Sequence, residues 1–170
     1  MIVNHTEARI FDRFVSKNQK IIESIWPDSG AHLQIFTIHQ YSQLKDVPVI
    51  TFSEVDTFTY AAKRTIINNK EHYFYAIIYS PQTTKELGFT ELDYFSAIAH
   101  EIGHLKNFMD PFIPNEGWYA EIKADEVACA IGLCRPLVNL LSKLLNQDVL
   151  TEFQIREIEF RLRYLKQFLN

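Results

Sequence analysis

Ala99-His100-Glu101-Ile102-Gly103-His104 sets two histidines four residues apart, with a glutamate directly after the first. On a helix, residues i and i+4 lie one turn apart on the same face, so both imidazoles can reach one metal ion while Glu101 stands beside a bound water. That gives two ligands and a general base, the groups that metal-assisted hydrolysis needs. The pattern has this meaning only if the stretch is helical and the chain supplies a third ligand.

The helix is predicted without reference to the histidines. Thr90-Glu91-Leu92-Asp93 has the capping-box pattern and opens a helix upstream of His100. Leu92, Phe95, Ile98, Ala99, Ile102 and Leu105 then make it apolar over much of its circumference, which predicts a central rather than a peripheral helix. Pro111, Pro114 and Gly117 interrupt the pattern, and a new helical one runs over 118–133. Along it Ala120, Ala124, Ala128 and Gly132 form a row of small residues that lets another helix backbone approach closely. Glu121 and Asp125, also four apart, occupy a neighbouring face.

Outward from this centre, residues 6–26 read as an amphipathic helix with Thr6 as N-cap, closed by the turn chemistry of Pro27-Asp28-Ser29-Gly30. Residues 32–39 are β-like, and 47–52 could form another strand despite Pro48. A hairpin is predicted from 59–67, a turn around Asn68-Asn69-Lys70, and an aromatic and β-branched strand over 72–79. Residues 81–88 read as a connection. Two more helices are predicted at 136–146 and 151–169, the last burying Phe153, Ile155, Ile158, Leu162, Leu165 and Leu169. The expected fold class is α+β: a small mixed β-sheet ending in strand 73–79, packed on the His100 helix and the Glu121 helix, with N-terminal and C-terminal helices, in a single domain over 1–170.

Composition narrows the function. A chain of 170 residues with 47% hydrophobic and 22% charged residues can bury one core without disulfides. Its net charge of −4 argues against nucleic acid as a partner. No stretch approaches the ~18 apolar residues of a membrane span, and the first residues lack a basic segment followed by an apolar run, so no membrane partner and a cytoplasmic location are expected. Cys129 and Cys134 read as two positions on one helix pointing to different faces, hence as free thiols.

Three carboxylates compete to be the third ligand. Asp110 would require a sharp turn after His104 at Asn107, which enters the left-handed region less readily than glycine. Glu116 lies in a Pro/Gly loop with nothing to hold it. Glu121 sits on a helix with a small-residue face, a better platform for a fixed ligand.

His100-Glu101-Ile102-Gly103-His104 followed by Glu121-Ile122-Lys123-Ala124-Asp125 resembles the HExxH…ExxxD signature of gluzincin metallopeptidases. With Ala128, Leu133 and Pro136 it locally resembles ImmA/IrrE-type and minigluzincin-like peptidases. The resemblance implies a zincin-like fold, Zn2+ held by His100, His104 and Glu121, Glu101 as general base, and Asp125 orienting a ligating histidine. It also implies a zinc metalloendopeptidase acting on a protein or peptide substrate, for which strand 73–79 is the expected docking edge. Tyr119, His32 and His39 are candidate oxyanion donors. The alternative is a catalytically silent zinc-binding domain that serves a regulatory protein partner. Arg156, Arg161, Arg163 and Lys166 on the last helix are expected to be solvated.

Overall fold

The computed structural model describes residues 5–17, 33–53, 56–114 and 116–169. They form an α+β fold whose sheet has three strands: β1 (Leu33–Thr37), β2 (Phe58–Ile67) and β3 (Lys70–Tyr79). The order is β1-β3-β2, with β1 parallel and β2 antiparallel to the central β3. The hairpin joining β2 to β3 has a two-residue turn, and Asn68 and Asn69 both adopt positive φ, at 51° and 59°. That left-handed pair matches the twist of the strands it joins, and asparagine tolerates it better than most residues.

β3 corrects one expectation. Residues 75–79 of the strand are paired on both sides, so that stretch cannot offer an edge to a substrate. Its own composition explains this, since Tyr75, Ala76, Ile77, Ile78 and Tyr79 are all buried without alternation. Tyr75, Ile77 and Tyr79 face the main core, while Ala76 and Ile78 face a smaller cluster with Phe36, Tyr41 and Ala61. Among the described residues the edge strands are β1 and β2.

Helix α1 (His5–Lys17) brings Phe14, fully buried, against Phe95 at 5.5 Å. The rest of the predicted 6–26 helix, the turn after it and His32 lie outside the described residues. The β-like segment 32–39 divides at Thr37, whose capping box with Gln40 starts the short α2 (Ile38–Ser42). Residues 47–52 are not a strand. Pro48 has no N–H to give to a ladder, and its carbonyl instead accepts the Tyr41 hydroxyl at 2.7 Å while Val47, Ile50 and Phe52 pack on the smaller cluster. The connection 81–88 contains a helix, α3 (Pro81–Glu86), capped by the Ser80 side chain with Pro81 in the first turn.

Helix α4 (Glu91–Met109) starts where Thr90 and Asp93 predict. Asp93 accepts the Thr90 N–H at 2.7 Å and the Thr90 hydroxyl accepts the Asp93 N–H at 3.3 Å. Every residue from Phe95 to Leu105 is buried, so the helix is the axis of the domain, although Leu92 is exposed. Helix α5 (Trp118–Ala130) lies against it, backbone to backbone. A Cβ added at Gly103 would stand 2.5 Å from the Ala124 Cα, and Ala120, Ala124 and Ala128 are fully buried. Asn107 does not turn the chain. It is buried inside α4 and donates from its side-chain amide to the Ala120 carbonyl at 3.1 Å.

α5 ends at Gly132 (φ +83°), where the Gly132 and Leu133 amides donate back to the Cys129 and Ala128 carbonyls. Helix α6 (Cys134–Leu145) follows at once, so Cys129 and Cys134 belong to different helices and are joined as a disulfide. The expectation of free thiols assumed one continuous helix and is corrected by this break. Helix α7 (Glu152–Leu165), capped by Thr151, packs with α6 over the site and runs into a final 3-10 turn (Lys166–Phe168). Ile158 and Leu165 are buried as expected, whereas Phe153 is exposed. Among the described residues no helix is long and apolar enough to cross a membrane.

Candidate metal centre

The close α4–α5 contact decides where the polar groups meet. His100 and His104 project from one face of α4 toward Glu121, which occupies the first turn of α5. His100 Nε2 lies 3.1 Å from His104 Nε2 and 3.2 Å from one Glu121 oxygen, and His104 Nε2 lies 3.2 Å from the other. The three side chains thus form a triangle in which each histidine nitrogen faces a different Glu121 oxygen, and one ligand atom from each residue lies within 4.8 Å of the others. Ligands about 2.0–2.1 Å from a tetrahedral zinc ion stand about 3.3 Å from one another, close to the 3.1 Å between the two histidine nitrogens, and two imidazoles with one carboxylate are a donor set that suits such an ion.

One turn along α5, Asp125 Oδ1 stands 2.8 Å from His100 Nδ1. The ring thus donates its Nδ1–H to a carboxylate and leaves Nε2 aimed at the triangle, as ligating histidines commonly do. His104 lacks such a partner. Among the described residues its Nδ1 is buried without a hydrogen bond, and the Tyr60 ring of β2 instead stacks on the imidazole at 4.9 Å and 10°. Glu101 is 6% exposed and opens into a cavity of about 260 Å3 beside the triangle. α4 floors this cavity. Residues 56–60 at the start of β2 form one wall, and α6 and α7 form the other.

Other candidates are not brought to the centre. Asp110 caps the end of α4, its carboxylate accepting the Phe112 N–H at 2.9 Å, because the helix runs on through Met109 rather than turning after His104. Glu116 is exposed in the loop before α5 and is not part of the triangle. Tyr119 is 54% exposed with the Lys123 ammonium over its ring, and His39 pairs with Gln43 at the surface.

Arg161 was expected in solvent and is instead buried. Its Nε and Nη2 donate to the two Asp125 oxygens at 2.8 and 2.7 Å, and its Nη1 reaches Glu121 at 2.9 Å. The sequence holds the signal for this. Arg161 lies three residues after Ile158 and four before Leu165, on the stripe that α7 buries, so it had to be paired there. Tyr60 had no such signal, because strand alternation does not reveal which ring meets a histidine from another element.

These contacts set the protonation of the site. Burial raises the Glu101 carboxyl, more than His100 and His104 pull it down. Burial would raise Glu121 and Asp125 too, but the Arg161 charge and hydrogen bonds from histidine hold both below their ordinary values. His100 is pressed down by burial and by Arg161, yet its bonds to Asp125 and Glu121 carry it up to about 10. Burial, with Glu101 and Glu121 nearby, pushes the Tyr60 hydroxyl up to about 12. In the metal-free protein a proton on His100 thus offsets the carboxylates that a cation would otherwise offset.

No family model, curated protein or solved structure matches the chain.

Proposed function

We propose that the chain is a zinc-dependent metallopeptidase of the gluzincin type, with a zincin-like placement of its sheet and two site helices. The observation that carries this is the convergence of His100, His104 and Glu121 from α4 and α5, with Glu101 buried beside them at the floor of a cavity. Zinc held there supplies Lewis-acid chemistry, polarising a peptide carbonyl and acidifying water. Glu101, the one carboxylate of the HExxH stretch, is not among the three ligands. It takes the proton of the attacking water and delivers it to the leaving amine, and its raised pKa brings it closer to the pH at which it must do both. Asp125 keeps His100 in one tautomer, and Arg161 keeps Asp125 and Glu121 charged. The stacked Tyr60 ring keeps His104 in place. An extended substrate adds to the edge strand β2, whose start lines the cavity, rather than to the doubly paired β3.

The test is zinc content and peptide cleavage by the protein and by Glu101→Gln. One zinc per chain in both, with cleavage lost only in the variant, supports a peptidase. Stoichiometric zinc without cleavage of a mixed peptide library would instead support a silent zinc-binding domain that serves a regulatory protein partner. Location in the cytoplasm is part of the same proposal.

A further inference from the structure

One stripe of α7, Gln154, Glu157, Ile158 and Arg161, faces the cavity over the triangle. Arg161 is committed to Asp125 and Glu121. Glu157, one helical turn outward, is half-buried and has no hydrogen bond or ion pair among the described residues. Glu101, 6% exposed on the same cavity, has no hydrogen bond either. With zinc in place, Arg161 and the ion bring three positive charges against Asp125, Glu121 and Glu101, which bring three negative ones, so Asp56 and Glu157 are the remaining carboxylates along the cavity. Asp56 accepts the Ser53 N–H, whereas Glu157 has only the more distant attraction of the already paired Arg161. The Glu157 carboxylate is left over, half-removed from water, and leaving it unmatched is costly. Beside it, α6 presents Leu137, Leu140, Leu141 and Leu144, an apolar wall along the same cavity.

We propose, on the basis of the peptidase assignment above, that this cleft selects peptides carrying a lysine or arginine side chain next to the bond to be cut. The aliphatic stem lies along the α6 leucines, and the cationic head pairs with Glu157. Long basic side chains bury their stems on apolar surface and carry their charge to a polar tip, so the wall and the carboxylate suit one ligand better than either suits a neutral residue.

The experiment measures binding, so it does not depend on turnover. Zinc-loaded Glu101→Gln protein is titrated into fluorescent peptides blocked at both termini and identical except for one lysine, norleucine or glutamate. The lysine peptide should bind roughly tenfold or more tightly than the norleucine peptide. That preference should vanish in Glu101→Gln/Glu157→Gln and turn toward the glutamate peptide in Glu101→Gln/Glu157→Lys. Equal binding of lysine and norleucine, or a preference that survives Glu157→Gln, overturns the proposal. So does a norleucine peptide with a free amino terminus that matches the lysine peptide, since the site would then read an α-ammonium group. Failure of every peptide to bind also overturns it, while zinc content and Glu101-dependent cleavage judge the peptidase assignment separately.

Discussion

Arg161 and Asp125 face each other in a buried two-point pair, Nε to Oδ2 at 2.8 Å and Nη2 to Oδ1 at 2.7 Å, and Asp125 itself is fully buried. This fastens α7 to the back of the triangle formed by α4 and α5. Among the described residues the guanidinium is the one permanent cation in contact with the Asp125 and Glu121 carboxylates, so its loss leaves both underneutralised, Asp125 fully buried and Glu121 at the edge of the cavity.

Arg161→Met should therefore destabilise the metal-free protein by about 3–5 kcal/mol, the usual cost of breaking a buried pair from one side. Zinc should reduce that loss, because a divalent cation at the triangle takes over part of the neutralisation. Arg161→Lys should not restore stability, since one ammonium cannot make the two-point contact. Urea denaturation with and without zinc measures all three. Equal losses in the two conditions would show that Arg161 acts independently of the triangle.

The protonation of His100 gives a pH prediction. Its folded value of about 10 lies above the ~6.5 of an unfolded histidine. The stability it contributes in the metal-free protein is thus fully present below pH ~6.5 and is lost as pH rises through about 10. Zinc has to displace that proton, so apparent zinc affinity should rise about tenfold per pH unit between pH 7 and 9. Chelator competition at three pH values checks the slope, and a flat response would place the proton elsewhere.

The parts of the site that depend on local spacing were legible in the sequence. Thr90 and Asp93 announce the start of α4, the 3.6-residue period puts His100 and His104 on one face, and the alanine row announces the close approach that brings Glu121 and Asp125 within reach. What stayed hidden depends on elements far apart in the chain. Strand order determines that β2 and not β3 is the edge, and no local pattern fixes that order, although the unbroken apolar run of Tyr75 to Tyr79 carries a hint of it. The Cys129–Cys134 bond turns on where α5 stops, a point Gly132 settles by entering a conformation other residues resist. Arg161 carries a charge that points to solvent and a position on the stripe that α7 buries, and the position prevails because Asp125 and Glu121 are there to pair with it.

The contact at Gly103 predicts a steric failure rather than a chemical one. Gly103→Ala would place a methyl group 2.5 Å from the Ala124 Cα and 2.7 Å from its carbonyl oxygen, so α4 and α5 must separate. Overpacking of this kind costs about 1–3 kcal/mol, and the widened triangle should hold zinc more weakly. Because the clash is with backbone, Ala124→Gly should not rescue it. Thermal melts and zinc titration of the single and double variants test this, and a fully rescued double variant would show that the Ala124 methyl sets the spacing instead.

Tyr60 separates packing from hydroxyl chemistry. Its ring lies nearly parallel to His104, 4.9 Å away, and among the described residues the Nδ1 of that histidine is buried without a hydrogen bond. The stack thus restrains the imidazole through its face, where His100 is held instead through the Asp125 contact at its Nδ1. Tyr60→Phe keeps the ring and should leave zinc affinity within about twofold, whereas Tyr60→Ala frees His104 and should weaken zinc binding roughly tenfold or more, as loss of a ligand's supporting partner does. A hydroxyl placed on the cavity can also donate to a substrate carbonyl, and burial with Glu101 and Glu121 nearby keeps it protonated far above neutral pH. If it does so, Tyr60→Phe should lower kcat by roughly tenfold or more with zinc content unchanged. Parallel measurement of zinc affinity and kcat in the two variants distinguishes the roles, and equal zinc loss in both would mean that the hydroxyl, not the ring, holds His104.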